Sequence, residues 1–431
     1  MLAETPPPPT TFAVLTRPFQ PIAQAIEDQR KKHGNETLSW YAFALILIYC
    51  YTIGCQGLNR LATELESADP KLELPAAPAA TLSDAFRRLP PALMRQAFQR
   101  LVVSIAGREI PELQALGPLW CIDGSYFPAL RRMAWAYVRD QVYGVKLHLC
   151  FSLNHMRPVD CLITVGTGSE RQALRQLLQA GITFIADRGY FCFDLLAEIA
   201  ATPAFFVLRI YGNAVYTVLE QLPPALPPTV GAILGVVQDM KVRFPNDRQQ
   251  GVYRLVIFTL GDHHFLIVTN RWDLSTYQIV LLYAYRWQIE LIFRFLKHSL
   301  PGLQWLTTAP QGIESQFYAL LITALLHLQL KQDCLLAAAR ETPAGATPPP
   351  DRPAGSTTVE VLQQQQAELS SSPARARDRV TAQAGAASFM VAVGHKLRRY
   401  WKVGIHWLIT LRAHLARPFT VEVRQALNAH A

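Results

Sequence analysis

From Leu119 to Ile210 the chain spells out three strands, a helix, a strand, a second helix and a last strand, an order that few folds accommodate. The runs LWCID (119–123), VYGVKLHLCFSL (142–153) and VDCLITVGTG (159–168) are rich in strand-forming residues, with turn residues between them. A helical pattern follows from Glu170 to Gln179 and ends before Gly181. TFIAD (183–187) is a short apolar strand, Phe193–Ala201 a helix closed by Pro203, and AFFVLRI (204–210) the last strand.

That order predicts an α/β chain with an RNase H-like (retroviral integrase-like) core, a mixed sheet flanked by helices, beginning over residues 113–210. Residues 211–272 interrupt it. LPPALPPT leads into VRF, VYRLVIFTL and HFLIVTN, which alternate as antiparallel strands do, so this stretch reads as a β-rich insertion. The core resumes over 273–340. One long helix runs from about Ser275 to Leu300 and stops at Pro301-Gly302, and an apolar helix covers Ile313–Leu336. Residues 1–112 read as helical. A helix starts at Thr81, with Thr81 and Ser83 as capping candidates, and Pro90-Pro91 stop it before Leu93–Ile105 resumes. These short helices are either a DNA-end-binding region or a lid on the core. Residues 341–373 are a linker by composition, and 374–431 form a basic, helical tail that dimerises, touches DNA or packs on the core.

A chain of 431 residues exceeds one ordinary core, and with 50% hydrophobic residues it is not a mainly disordered protein. Its 41 Lys+Arg against 32 Asp+Glu leave a net charge of +9, which favours a polyanionic partner such as nucleic acid. Seven cysteines without a CxxC pair argue against a zinc knuckle or a disulfide framework, and for free thiols in a reducing cytoplasm. The start, MLAETPPPPT, lacks the basic and apolar regions of a signal peptide. Leu38–Asn59 carries no charge, but Gly54, Gln56, Gly57 and Asn59 break its second half, so a buried helix and no membrane partner are expected.

The helix at 283–297 carries the strongest chemical signal. Tyr283, Arg286, Glu290 and Lys297 lie at offsets of 0, 3, 7 and 14, within an arc of about 60° on a continuous helix. Ile289, Ile292, Phe293 and Leu296 supply an apolar stripe beside them. Pairing of Glu290 with Arg286 and Arg294 on a solvated face is the alternative. Asp123 and Asp187 each follow a short apolar strand, where a carboxylate projects from the rim of a sheet or caps a turn. As a set, three acids beside a basic helix suit Mg²⁺ or Mn²⁺ and phosphoryl transfer; no soft Cys/His cluster suits zinc. His148 and the His263-His264 pair are not assigned to this site.

Together these motifs resemble the DDE transposases of the insertion-sequence-four (IS-four) family, whose signature is Tyr, two residues, Arg, three residues, Glu, six residues, Lys. YAYRWQIELIFRFLK (283–297) matches every spacing. IDGSYF (122–127), GVKLH (144–148), ADRGYF (186–191) and VTN (268–270) are similar too, and the likeness spans about Trp120–Leu300. The resemblance implies Asp123, Asp187 and Glu290 as catalytic residues binding two Mg²⁺ ions, with Mn²⁺ as a substitute. It implies that Tyr283, Arg286 and Lys297 contact DNA phosphates and that Trp287 stacks on a distorted base, against the commoner fate of a buried tryptophan. The implied activity is cut-and-paste transposition: cleavage at terminal inverted repeats and strand transfer into double-stranded target DNA. The implied assembly is a homodimer, in the cytoplasm at the nucleoid. A domesticated RNase H-like nuclease and a non-catalytic DNA-binding protein are the other readings.

Overall fold

Strands dominate the middle of the chain because apolar, β-branched runs there alternate between two faces that are both covered. They are β1 (Leu119–Pro128), β2 (Tyr137–Arg139), β3 (Val142–Ser152), β4 (Arg157–Val165), β5 (Thr183–Ala186), β6 (Phe205–Arg209), β7 (Thr217–Leu222), β8 (Val237–Arg243), β9 (Val252–Leu260) and β10 (His263–Thr269). This is a computed structural model, and it describes residues 10–341 apart from 33, 106–109, 232–233, 261–262 and 300–303. The chain divides into one unit of Met1–Leu330 with Val403–Ala431 and another of Lys331–Lys402. The expected linker from 342 onward and the basic tail 374–431 lie outside the described residues.

The strands form one ten-stranded mixed sheet in the order β2-β3-β1-β5-β6-β10-β9-β8-β7, with β4 also paired to β3. β3 runs antiparallel to both β1 and β4, whereas β5 is parallel to β1 and β6 parallel to β5. β10 pairs antiparallel with β6, Thr269 opposite Val207 and Ile267 opposite Arg209. The expected insertion is therefore no separate module: β7 to β10 extend the core sheet and cover the edge that β6 would otherwise leave open. β7 was not anticipated, because Thr217–Gln221 are all exposed and show no alternation to read.

One face of the sheet packs on Trp40–Ile53, Ala79–Arg88, Pro91–Ser104 and Pro310–Leu330, and the other on Glu170–Leu177 and Phe193–Ala201. Trp40–Ile53 is the buried helix that the uncharged run predicted. Ser39 accepts a hydrogen bond from the Ala42 N–H at its start, and Gly54 ends it at φ 71°, a left-handed position that suits glycine. Ala79–Arg88 begins two residues earlier than expected, after Pro78, so Thr81 and Ser83 lie inside the helix and cap nothing. Pro310–Leu330 is long and apolar enough to cross a membrane, yet Ile313, Phe317, Leu320 and Leu321 are buried in the core.

A buried network anchors the signature helix to the outer strands. Arg254 on β9 grips Asp239 on β8 through Nε (2.9 Å) and Nη2 (2.6 Å), and its Nη1 donates to the carbonyls of Arg271 and Leu274. The Thr276 hydroxyl donates to the same Asp239 carboxylate at 2.7 Å. Ser275 then opens the helix with a capping box, completed by Gln278.

Candidate active site

Strand register sets the first two acids side by side. β1 and β5 pair in parallel as Leu119–Thr183, Trp120–Phe184 and Cys121–Ile185, and Asp123 and Asp187 each come two residues after the last of these pairs. Cys121 and Ile185 both point into the core beneath the long helices, so by the two-residue period of a strand Asp123 and Asp187 share that face. Asp187 follows the end of its strand, as the sequence suggested. Asp123 does not, since β1 continues to Pro128 against β3. It reaches a rim because the neighbouring β5 stops at Ala186. Each carboxylate is tethered to the next peptide: Gly124 N–H donates to Asp123 Oδ1 and Arg188 N–H to Asp187 Oδ1, both at 2.8 Å.

The signature segment lies across this face, packing on β5 and β6 first and on β1 farther along. It is not the single regular helix that the sequence predicted. Thr276–Tyr285 ends in a tightened turn in which Arg286 N–H donates to the Tyr283 carbonyl at 3.2 Å. Trp287–Arg294 follows, then a wide π-helical turn over Phe295–Ser299. Local departures of this kind let a helix serve a site at the expense of regular hydrogen bonding.

Side chains from both sources converge. The Tyr283 hydroxyl donates to Asp187 Oδ1 at 3.5 Å, and Arg286 Nη2 donates to Glu290 Oε1 at 2.9 Å. Burial pushes the Asp123 carboxyl up to about 6; Arg286 and the Gly124 N–H oppose that rise, while Glu290 and Glu170 add to it. Glu290 is also raised, first by burial against the pull of Arg286, and further by Asp187. Burial pulls the Arg286 guanidinium down, but Tyr283, Glu290, Asp187 and Asp123 more than offset it and hold the charge. Burial lifts Tyr283 to about 12, Arg286 opposes and Asp187 adds. Arg286 is thus a countercharge among three acids.

This geometry differs from a phosphate-contacting stripe. Tyr283 and Arg286 are buried, at 0% and 2% exposure, and turn polar atoms toward Asp187 and Glu290. Trp287 is half-buried beneath the Arg294 guanidinium, 5.9 Å from its ring centre. Lys297 is half-buried with Nζ 5.0 Å from the Phe127 ring centre; burial lowers its pKa and Asp123 opposes that.

Comparison with known proteins settles the family. Residues 117–326 match the transposase DDE domain. A putative transposase, y4zB, of Sinorhizobium fredii is 27% identical over 253 residues, covering 57% of this chain and 70% of that protein. A probable transposase for insertion sequence element IS5377 of Geobacillus stearothermophilus is 25% identical over 262 residues, covering 60% and 68%. Residues 117–326 carry a transposase DDE domain, and these curated relatives are transposases. A cryo-EM structure of the piggyBac transposase synaptic complex with hairpin DNA aligns over 82% of the transposase and 88% of that chain, at 9% identity and a TM-score of only 0.32.

A DDE domain implies a divalent cation. Among the described residues no three Asp, Glu, His or Cys side chains stand close enough to enclose one as they are placed, and the Glu290 carboxylate is turned to Arg286. The donor set nonetheless fits a hard cation: oxygen ligands only, from three acids whose mutual repulsion and burial leave Asp123 raised. His148 stands opposite Gly124 on β3, with Nε2 3.0 Å from the Thr164 hydroxyl and its pKa lowered by burial to about 4. Sequence reasoning missed two charged neighbours of the transposase site. Arg209 on β6 influences Tyr283, and Glu170 influences Asp123 from the start of the helix Glu170–Leu177. Neither sits in a spacing pattern, and only the glycines after the two aspartates hinted at crowding there.

Proposed function

We propose that this transposase works by cut-and-paste on an RNase H-like core of the IS-four type, with Asp123, Asp187 and Glu290 as its metal-binding triad. The observation that carries the reading is the β1–β5 register, which sets two aspartates together beneath the helix that bears Glu290. The strand path β4-β3-β1-β5-β6, three antiparallel strands followed by two parallel to the first, supports the RNase H-like assignment. Two divalent ions, Mg²⁺ or Mn²⁺, would be held by the three carboxylates, and they supply activation of the attacking oxygen and stabilisation of the leaving one.

The chain's own residues orient and balance charge. Tyr283 positions Asp187, and Arg286 neutralises the acid cluster until a phosphate reaches it, when both would meet that phosphate. Lys297 and Trp287, which keep partial access to solvent, would contact DNA nearer the element's end. Double-stranded DNA, at terminal inverted repeats and at the target, is the substrate. A homodimer in the cytoplasm would place one active site at each end, and residues 1–112 would help engage those ends.

The test is strand cleavage on end-bearing DNA with Mg²⁺. Asp187→Asn and Glu290→Gln should each lose cleavage while retaining most end binding. Full cleavage by either variant would contradict the triad.

A further inference from the structure

The two glycines that follow the aspartates face the two halves of one ion pair. Lys146 on β3 reaches Glu170 Oε1 with Nζ at 2.8 Å and the Gly168 carbonyl at 3.5 Å, and both side chains are mostly shielded. A Cβ placed on Gly124 would stand 2.7 Å from Lys146 Cε and 3.2 Å from His148 Nδ1. A Cβ placed on Gly189 would stand 2.3 Å from Glu170 Oε2. The lysine stem therefore passes over the peptide after Asp123, and the glutamate head sits under the turn Arg188–Tyr190 that follows Asp187.

We infer that the Lys146–Glu170 pair is a positioning strut that sets the two aspartates relative to one another, with Gly124 and Gly189 as the gaps through which it is held. The inference rests on the proposed metal-binding role of those aspartates. Its physical basis is a short chain of contacts. Asp123 is tied to the Gly124 N–H and Asp187 to the Arg188 N–H, so moving either peptide moves a carboxylate. Lys146 packs against the glycine that carries the first peptide, and Glu170 against the glycine that follows the second. Glu170 is itself held at the first turn of a helix capped by Ser169, where a negative charge is favoured. Arg171 adds a bond from Nε to the Gly189 carbonyl at 3.4 Å. Neither Lys146 nor Glu170 touches the reacting atoms in this arrangement. They act through the backbone that carries the acids, and a side chain at Gly189 is costly because Lys146 holds the carboxylate it would strike.

The experiment uses the full-length protein and reads three quantities: Mn²⁺ binding to metal-free protein by the electron paramagnetic resonance signal of free Mn²⁺, single-turnover end cleavage, and the melting temperature. Glu170→Gln should raise the Mn²⁺ midpoint several-fold and slow cleavage at least tenfold, whereas Lys146→Arg should keep both within about twofold of wild type. Gly189→Ala should weaken Mn²⁺ binding in the wild-type background and add nothing in a Glu170→Ala background, where the obstructing carboxylate is gone. Gly124→Ala should show the same relief with Lys146→Ala. A purely structural pair would lower the melting temperature without shifting the Mn²⁺ midpoint, and that result overturns the proposal. So does an equal penalty for Gly189→Ala in both backgrounds. If the Glu170 and Lys146 variants do not fold, wild-type midpoints in both glycine variants overturn it, and raised midpoints with unchanged melting support it. Asp187→Asn is the control: if it binds Mn²⁺ and cleaves normally, the triad itself fails, whereas a dead Asp187→Asn beside a normal Glu170→Gln removes only the strut.

Discussion

Replacing Asp123 by asparagine should make the metal-free transposase more stable while abolishing its activity. Burial, aided by Glu290 and Glu170, holds the Asp123 carboxyl at about 6 against the ordinary aspartate value of 3.8. An acid with a raised folded-state pKa opposes folding when ionised: the penalty is absent below the unfolded value, grows between roughly pH 4 and 6, and is complete above. The difference between those two values corresponds to roughly 3 kcal/mol at neutral pH, an upper bound. Asparagine keeps an oxygen to accept the Gly124 N–H, so the local bond survives and only the charge is lost. For a folded unit of this size, with about 2 cal/mol/K of unfolding entropy per residue, that gain is on the order of 3–5 °C in melting temperature. Thermal melts in EDTA at pH 7.5 and pH 4 measure it: Asp123→Asn should lead at pH 7.5 and converge with wild type at pH 4. With Mn²⁺ the order should reverse, because only wild type offers the full set of acids to the ion. An asparagine variant that melts at or below wild type in EDTA at pH 7.5, with no pH-dependent difference, would refute the reasoning.

Arg286→Met should destabilise metal-free protein by about 3–5 kcal/mol, since it leaves several acids without their buried countercharge, and divalent ion or low pH should recover part of the loss in the same melts. Asp239→Ala should cost a similar 3–5 kcal/mol by stranding Arg254, measured by urea unfolding, and should slow cleavage because Thr276 loses its anchor at the start of the signature helix. Lys297→Ala should weaken end binding and reduce the slope of log affinity against log salt by about 0.9, the value for one lost phosphate contact, in fluorescence anisotropy titrations. An unchanged slope would place Lys297 away from the DNA.

Much of the site was legible because its spacing survives without three dimensions. The 0, 3, 7, 14 pattern of Tyr283, Arg286, Glu290 and Lys297 marks one helical stripe, and Asp123 and Asp187 follow short apolar runs that announce strands. What the stripe does was not legible. Regular helical geometry aims all four side chains outward together, but the turn at Arg286 and the π-helical turn after Arg294 break that regularity, and burial draws Tyr283 and Arg286 onto the acids. Residues 211–272 read as a β-rich insertion of antiparallel strands, and antiparallel strands stand there. That they extend the core sheet was not legible, because periodicity reports how many faces are covered and never which strand lies beside which. Lys146 lies in the GVKLH run and Glu170 opens a helix, but nothing in the sequence joins the two, which are 24 residues apart and meet only across β3 and the helix it faces.

The sequence by itself determined most of the inventory: most of the strands and helices, the acids that follow short apolar runs, and the basic helix that would meet them. Those are local properties, settled by side-chain periodicity and backbone preference over ten or twenty residues. Only the tertiary structure decided adjacency. The parallel register of β1 with β5 carries Asp123 and Asp187 toward one another, and the crossing helix gives three acids one shared arginine, because the contacts that join the two strands, and the helix to them, link residues more than sixty positions apart.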